Sequence, residues 1–311
     1  MRRQAAIMLA LVLITLALTG PSVGAGAANY TILLSMKGPG SGNPFWAAVE
    51  LGARETAKSV GVNLVVLAPP AETDVQAQIS QIEDQIAKRV SAIVVAPTDV
   101  SALNTTFDKA RALKIPVLFV DTDGNWPYKL TFIGTDNRVG GALGGKFLCD
   151  TLKGKGDIAL ITGVMTTQSI RARIEGARET VKKCGLKVVK ELPANSDRAL
   201  GQQVMEDILT SAPTVKGVFA ANDLMALGAA EAVKARGKAG KILIVGFDAI
   251  PEAAQSILAG NLSASVAQSP YNMGKFGVQN ALKALQNKPV AKRIDTGTIL
   301  VTKKNAAQFA K

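Results

Sequence analysis

The chain has 311 residues, is 48% apolar and 19% charged, and carries a formal net charge of +12 with no histidine. That balance belongs to a compact globular protein, and the missing histidine removes both the commonest proton shuttle and the usual base for activating serine or cysteine. The lysines are dispersed over helix surfaces (Lys58, Lys88, Lys109, Lys182, Lys234) with no basic block beside aromatics, so nucleic acid is not expected as a partner.

The first segment pairs basic Arg2 and Arg3 with the apolar run Ala5–Leu18 and a small-residue tract from Gly20 to Ala28. This is the layout of a cleavable signal peptide over residues 1–28, and its apolar core is short of the roughly 20 residues that cross a bilayer. Export to the periplasm is the expectation. It makes a disulfide between Cys149 and Cys184 chemically permissible, but spacing alone leaves a bridge and a buried thiol pair equally open. Neither cysteine has neighbours that suggest a metal site.

Beyond the leader, short β-rich runs alternate with amphipathic segments. Tyr30–Met36 reads as a strand, Pro44–Val60 as a helix and Val62–Leu67 as a strand; Thr73–Lys88 is helical, with Val75, Ile79, Ile82 and Ile86 recurring every three or four residues. Strands at Ser91–Ala96 and Pro116–Val120 flank a helix at Val100–Leu113, and the pattern resumes after Thr131–Gly134. The same alternation continues through Asn137–Leu152, Asp157–Thr162, Ser169–Lys183, Leu186–Glu191, Ser196–Leu209, Gly217–Ala220, Leu224–Arg236 and Lys241–Phe247. Helices at Ile250–Leu258 and Tyr271–Leu285 enclose a last strand near Leu262–Gln268.

Such alternation implies an α/β protein with parallel sheets covered by helices on both faces. By itself it permits either a barrel or two doubly wound lobes. Turn-rich segments at Gly134-Thr135-Asp136, Gln268-Ser269-Pro270 and Gly297-Thr298 suit three chain crossings, a multi-strand hinge between two lobes. The expected division is residues 29–134 plus 269–297 for the first lobe and 135–268 plus 298–311 for the second.

In open parallel sheets the ligand crevice lies beyond the carboxyl ends of the strands. The polar and aromatic residues there are Asn43, Phe45 and Trp46 after the first strand, Asp121 after Val117–Val120, Asn222 after Gly217–Ala220, Asp248 after Lys241–Phe247, and Gln268. Arg171 and Arg173 stand near a helix start. Planar carboxylates, amides and guanidinium groups suit sugar hydroxyls, while an aromatic face suits the C–H face of a ring. Each residue has an ordinary alternative: Asn43, Asp121 and Asn222 as helix caps, Asp248 in a turn, the aromatics in packing, and the arginines opposite Glu175 and Glu179. Caps alone do not account for the aromatics and arginines.

The same residues carry a family resemblance. Asn43-Pro-Phe-Trp46, Asn63-Leu-Val-Val-Leu67, Ile115-Pro-Val-Leu-Phe-Val-Asp121, Asp136-Asn137 with Gly140-Gly141, Arg171-Ala-Arg173, Ala221-Asn-Asp-Leu-Met-Ala-Leu-Gly228 and Val245-Gly-Phe-Asp248 resemble the type I periplasmic sugar-binding proteins of ATP-driven transporters, especially the ribose-binding branch. More distantly, the chain resembles the effector domain of lactose-repressor-like regulators. The resemblance implies that Asn43, Phe45, Trp46 and Asp121 face the ligand from one lobe, Arg171, Asn222 and Asp248 from the other, and Gln268 from a crossing segment. Thr122, Arg173 and Ser196 are further candidates.

Two departures bear on the ligand: Thr122 stands where the ribose-like pattern has arginine, and Ser196 where it has an aromatic. Trp46 replaces a usual phenylalanine. The implied function is a periplasmic solute-binding component that closes two lobes over a monosaccharide or sugar alcohol and passes it to an ABC transporter permease. A chemoreceptor is a second candidate partner. No cofactor is expected, and ATP hydrolysis falls to the transport partner, since no Gly-rich loop ends in Gly-Lys-Ser/Thr. The competing class is a sugar-active enzyme using Asp121 and Asp248 as an acid/base pair.

Overall fold

The computed structural model describes residues 30–311; the expected signal peptide lies outside the described residues. The first lobe begins with β1 (Thr31–Ser35), α1 (Pro44–Val60), β2 (Asn63–Leu67), α2 (Val75–Ala87), β3 (Ala92–Val95), α3 (Val100–Ala112), β4 (Val117–Val120) and β5 (Phe132–Gly134). The chain then builds α4 (Asn137–Leu152), β6 (Asp157–Thr162), α5 (Gln168–Lys183), β7 (Lys187–Pro193), α6 (Arg198–Ser211), β8 (Val215–Ala220), α7 (Asp223–Ala235), β9 (Leu243–Asp248), α8 (Pro251–Leu258) and β10 (Ala264–Ala267). It ends with α9 (Pro270–Leu285), β11 (Arg293–Asp295), β12 (Ile299–Val301) and a short 3-10 turn at Ala306–Gln308.

These strands form two six-stranded sheets, ordered β11-β5-β4-β3-β1-β2 and β12-β10-β9-β8-β6-β7. The first is wholly parallel. The second is parallel except for β12, which pairs antiparallel with β10. The architecture is therefore two doubly wound lobes and not a barrel. The chain passes between the sheets three times: from β5 to α4, from β10 to α9 and from β11 to β12.

Central strands such as β3 and β4 are apolar throughout and fully buried, as strands covered by helices on both faces must be. The two three-residue edge strands have no such signature. Arg293–Asp295 is charged at both ends and mostly exposed, so β11 and β12 escape a reading based on apolar runs.

Helices pack in close pairs within each lobe. A Cβ on Gly141 of α4 would lie 2.0 Å from the carbonyl oxygen of Arg173, and one on Gly176 of α5 would lie 2.1 Å from that of Arg138. Glycine at both positions brings the two backbones together and sets Arg173 at the lobe interface. Farther along the same helices, Cys149 and Cys184 are joined by a disulfide, which decides the pairing left open by spacing.

Candidate functional site

In each sheet the winding direction reverses beside the first strand of its lobe: between β1 and β3, and between β6 and β8. The strand ends at these reversals face one another across the interlobe cleft. Lys37, Asn43, Phe45, Trp46, Glu72 and Asp121 line one wall; Ile170, Arg173, Ser196, Asn222 and Asp248 line the other.

Lys37, just past β1, is buried at the centre of the first wall. Its Nζ lies 3.0 Å from Asp121 Oδ2 and 3.1 Å from Glu72 Oε1. It donates to Thr122 Oγ1 at 3.0 Å and sits 5.7 Å from the centre of the Trp46 ring. Phe45 and Trp46 form an edge-to-face pair with centroids 5.0 Å apart, both nearly buried. Asn43 caps α1, its Oδ1 accepting from the Phe45 amide at 3.0 Å, so a cap and a cleft residue are here the same side chain.

The second wall is organised by Arg173. Its Nε donates to Asn137 Oδ1 at 2.8 Å and its Nη1 to the Ala221 carbonyl at 3.0 Å, while its guanidinium lies 4.0 Å from the Phe247 ring centre. It stands 3.7 Å from Asp121 Oδ1 and 3.5 Å from Asp248 Oδ1, so it bridges carboxylates of both lobes. Gln268 Nε2 donates to Asp248 Oδ1 at 2.7 Å. Asn222 caps α7 through the Met225 amide. Ser196 Oγ and Gln268 Oε1 are buried with no hydrogen-bond partner among the described residues.

The backbone is strained at these positions. Asp121, Ser196 and Asp248 have φ of 58°, 63° and 116°, a region that side-chain-bearing residues rarely adopt. Such outliers persist only where surrounding contacts over-determine them, and they concentrate at functional sites.

Charge is distributed unequally between the two acids. Burial opposes ionisation of Asp121, but Lys37 and Arg173, helped by the Thr122 hydroxyl, outweigh it and hold its carboxyl below the usual range. Burial also works against the Lys37 ammonium, yet Asp121 and Glu72 raise its pKa above the usual lysine value. Burial pushes Asp248 up to about 7 despite Arg173 and Gln268, with Asp121 adding to the rise and Lys37 opposing it. Two carboxyls driven apart can serve acid/base chemistry. Here the separation follows from unequal ion pairing: Asp121 faces two cations closely, Asp248 one.

The cavity left among these side chains measures about 30 Å³, room for a water or two at roughly 10–15 Å³ each. The lobes are shut. A sugar ring can enter only when they part.

The structure brings Asn43, Phe45, Trp46, Asp121, Asn222, Asp248 and Ser196 to one cleft, with Gln268 hydrogen-bonded to Asp248 from its edge. It does not bring Arg171 there. Arg171 Nη1 donates to the Met165 carbonyl at 3.0 Å, and the side chain faces an outer groove beside Asp123 and Gly124. The inward residue is Arg173, because positions two apart on a helix point to nearly opposite sides. Its phase was readable: Ile170 and Ala177, three and four residues away, and the adjacent Ile174 are all buried. Thr122 is fully buried beneath Asp121 and does not line the cavity. Lys37 and Glu72 were missed, since no local pattern marks a loop lysine as buried or a loop glutamate as turned toward the cleft. Lys37 supplies the cation that Thr122 lacks at the strand-end aspartate.

These features define a two-lobed protein that encloses a small polar solute between the strand ends of facing sheets. The periplasmic binding protein domain family matches residues 34–289, and the chain belongs to that family, in the type I sugar-binding class and its ribose-binding branch. It is 36% identical to the D-allose-binding periplasmic protein of Escherichia coli (strain K12), over 89% of this chain and 92% of the relative. The ribose import binding protein RbsB of Bacillus subtilis (strain 168) is 35% identical, over 91% of each chain. Among solved structures, a carbohydrate transporter solute-binding protein from Agrobacterium radiobacter in complex with D-arabinose superposes with a TM-score of 0.86 at 32% identity, covering 91% of this chain and 99% of the other. The family is a non-enzymatic, solute-binding component of ABC transporters, so the acid/base alternative for Asp121 and Asp248 is set aside.

Proposed function

We propose that this chain captures a monosaccharide, or a sugar alcohol of similar size, by closing its two lobes and delivers it to the permease of an ABC transporter. One observation carries the reading: Asp121 and Asp248, from opposite lobes, converge on Arg173 beside the Phe45–Trp46 pair. In the bound state the two carboxylates accept hydroxyl protons, Arg173, Asn43 and Asn222 supply donors, and Trp46 and Phe45 cover an apolar ring face. Ser196 Oγ and Gln268 Oε1 offer two further polar atoms free to pair with hydroxyls. Contacts to both walls favour the closed population, because a ligand shifts a two-state equilibrium only by binding one state better. Export through cleavage of residues 1–28, and a second partnership with a chemoreceptor, belong to this proposal.

Relatives named for allose and ribose make aldoses of that size the first ligands to test. Titration calorimetry of residues 29–311 against D-allose, D-ribose, D-arabinose and matching sugar alcohols is expected to give saturable 1:1 binding with no product formed. Absence of binding across the panel, or turnover of any member, would overturn the reading.

A further inference from the structure

Asp223 is the first residue of α7, is fully buried, and does not line the cleft. Its carboxylate faces the turn that carries Asp248. Oδ2 accepts from the Ile250 amide at 2.9 Å, and Oδ1 accepts from the Ser265 hydroxyl at 2.6 Å. Ser265 Oγ in turn accepts from the Ala249 amide at 3.0 Å. The two side chains thus hold consecutive amides of a turn in which Asp248 and Ala249 have φ of 116° and 51°. A left-handed alanine is unfavourable unless its surroundings impose it. The strand beneath is shaped for the same carboxylate: a Cβ on Gly246 would lie 2.1 Å from Asp223 Oδ1.

We infer that Asp223, together with Ser265, is a positioning residue for ligand capture, holding the Asp248–Ile250 turn so that the Asp248 carboxylate points into the cleft. This rests on the reading that Asp248 meets the sugar. The groups facing Asp248 are Arg173 from α5, Asp121 from the end of β4, Lys37 from the end of β1, Gln268 from the end of β10 and Asp223 from α7. Burial raises the Asp223 carboxyl well above the usual range and the charge of Asp248 raises it further, so the two acids titrate as a pair.

The test uses Asp223→Asn and Ser265→Ala in the full mature chain, each also combined with Asp248→Asn. With D-allose and D-ribose as probes, Asp223→Asn is expected to weaken binding about tenfold in the wild-type background and under about twofold when Asp248 is already Asn. Equal losses in both backgrounds, or none in either, would overturn the assignment. A readout without sugar separates this from the functional proposal. The carbon-13 carboxyl signal of Asp248 is expected to titrate in two steps in the wild type and in one step in Asp223→Asn; identical curves would sink the inference even if sugar binds. Should Asp223→Asn fail to fold, Ser265→Ala decides: its second step is expected to move to higher pH, because the hydroxyl that favours the Asp223 carboxylate is lost. An unmoved second step overturns the role.

Discussion

Lys37 Nζ and Ser169 Oγ meet 3.2 Å apart across the boundary between the lobes, one following the first strand of the first sheet, the other in the first turn of α5 in the second lobe. Thr122 Oγ1 lies 3.0 Å from the same serine oxygen. Beside them Thr167, the N-cap of α5, makes no capping bond; its hydroxyl instead reaches the Thr98 carbonyl at 2.9 Å and Glu72 Oε1 at 3.0 Å in the other lobe. The Thr122, Thr167 and Ser169 hydroxyls thus join the lobes without lining the cavity, tied to Lys37 and Glu72 that do line it.

Ser169→Ala and Thr167→Val are therefore expected to favour the open form. Each removes bonds worth about 0.5–1.5 kcal/mol, so sugar affinity is expected to fall roughly two- to tenfold. Small-angle scattering at sub-saturating sugar should show a larger mean radius of gyration than the wild type. An unchanged affinity and radius would mean that these hydroxyls do not bias closure.

Arg171 and Arg173, two residues apart near the start of α5, are expected to behave oppositely. Arg173→Ala leaves Asp121 and Asp248 without their shared partner and is expected to cost about 2–5 kcal/mol of binding free energy, the range for truncating one member of a buried charged pair. Arg171→Ala is expected to change affinity by less than about twofold, in keeping with an exposed side chain. Calorimetry on both variants checks the assignment.

Asp248 gives ligand-free stability a distinctive pH dependence. Its carboxyl is raised to about 7 in the folded protein and titrates near 3.9 in the unfolded chain. Between these values the folded state holds a proton that the unfolded state has released, so this group's contribution falls as pH rises from about 4 to 7 and is constant above. Asp121 has the opposite sign: its carboxyl is lowered, so its contribution is present above about 4 and is lost as pH falls through its folded value. The Tm of Asp248→Asn is expected to gain on the wild type as pH rises from about 4 to 7. A Tm difference independent of pH would contradict the raised carboxyl.

The Cys149–Cys184 bridge ties α4 to the end of α5 across 35 residues of sequence. Replacing both cysteines with serine is expected to cost about 2–4 kcal/mol in denaturant unfolding, the usual range for a loop closed by one disulfide. Sugar affinity should be retained, because the bridge joins helix ends remote from the cleft residues. A large affinity loss would show that the α4–α5 pair transmits its packing to Arg173.

Much of the α/β architecture was legible because buried parallel strands must be apolar runs and the helices between them must show a 3.6-residue period. The runs from Val117 to Val120 and from Leu243 to Phe247 could scarcely be anything else. The edge strands β11 and β12 were not legible, since three half-exposed residues bury too little to leave a pattern. In α5 the apolar phase of Ile170, Ile174 and Ala177 marks Arg173 as inward, while its proximity to a helix start favours Arg171 equally; only the phase carries geometric information.

Sequence by itself determined the order of the helices and of the apolar strands up to β10, and put Asp121, Asn222 and Asp248 at strand ends, because local periodicity and caps act over a few residues. Tertiary structure decided that the alternation closes into two lobes and that Cys149 meets Cys184. It also decided that Lys37 and Ser169, distant in the chain, meet in one buried cluster with the half-buried Glu72 beside them. A lysine's burial depends on which carboxylates surround it, and those partners come from separate strand ends that only the folded sheets bring together.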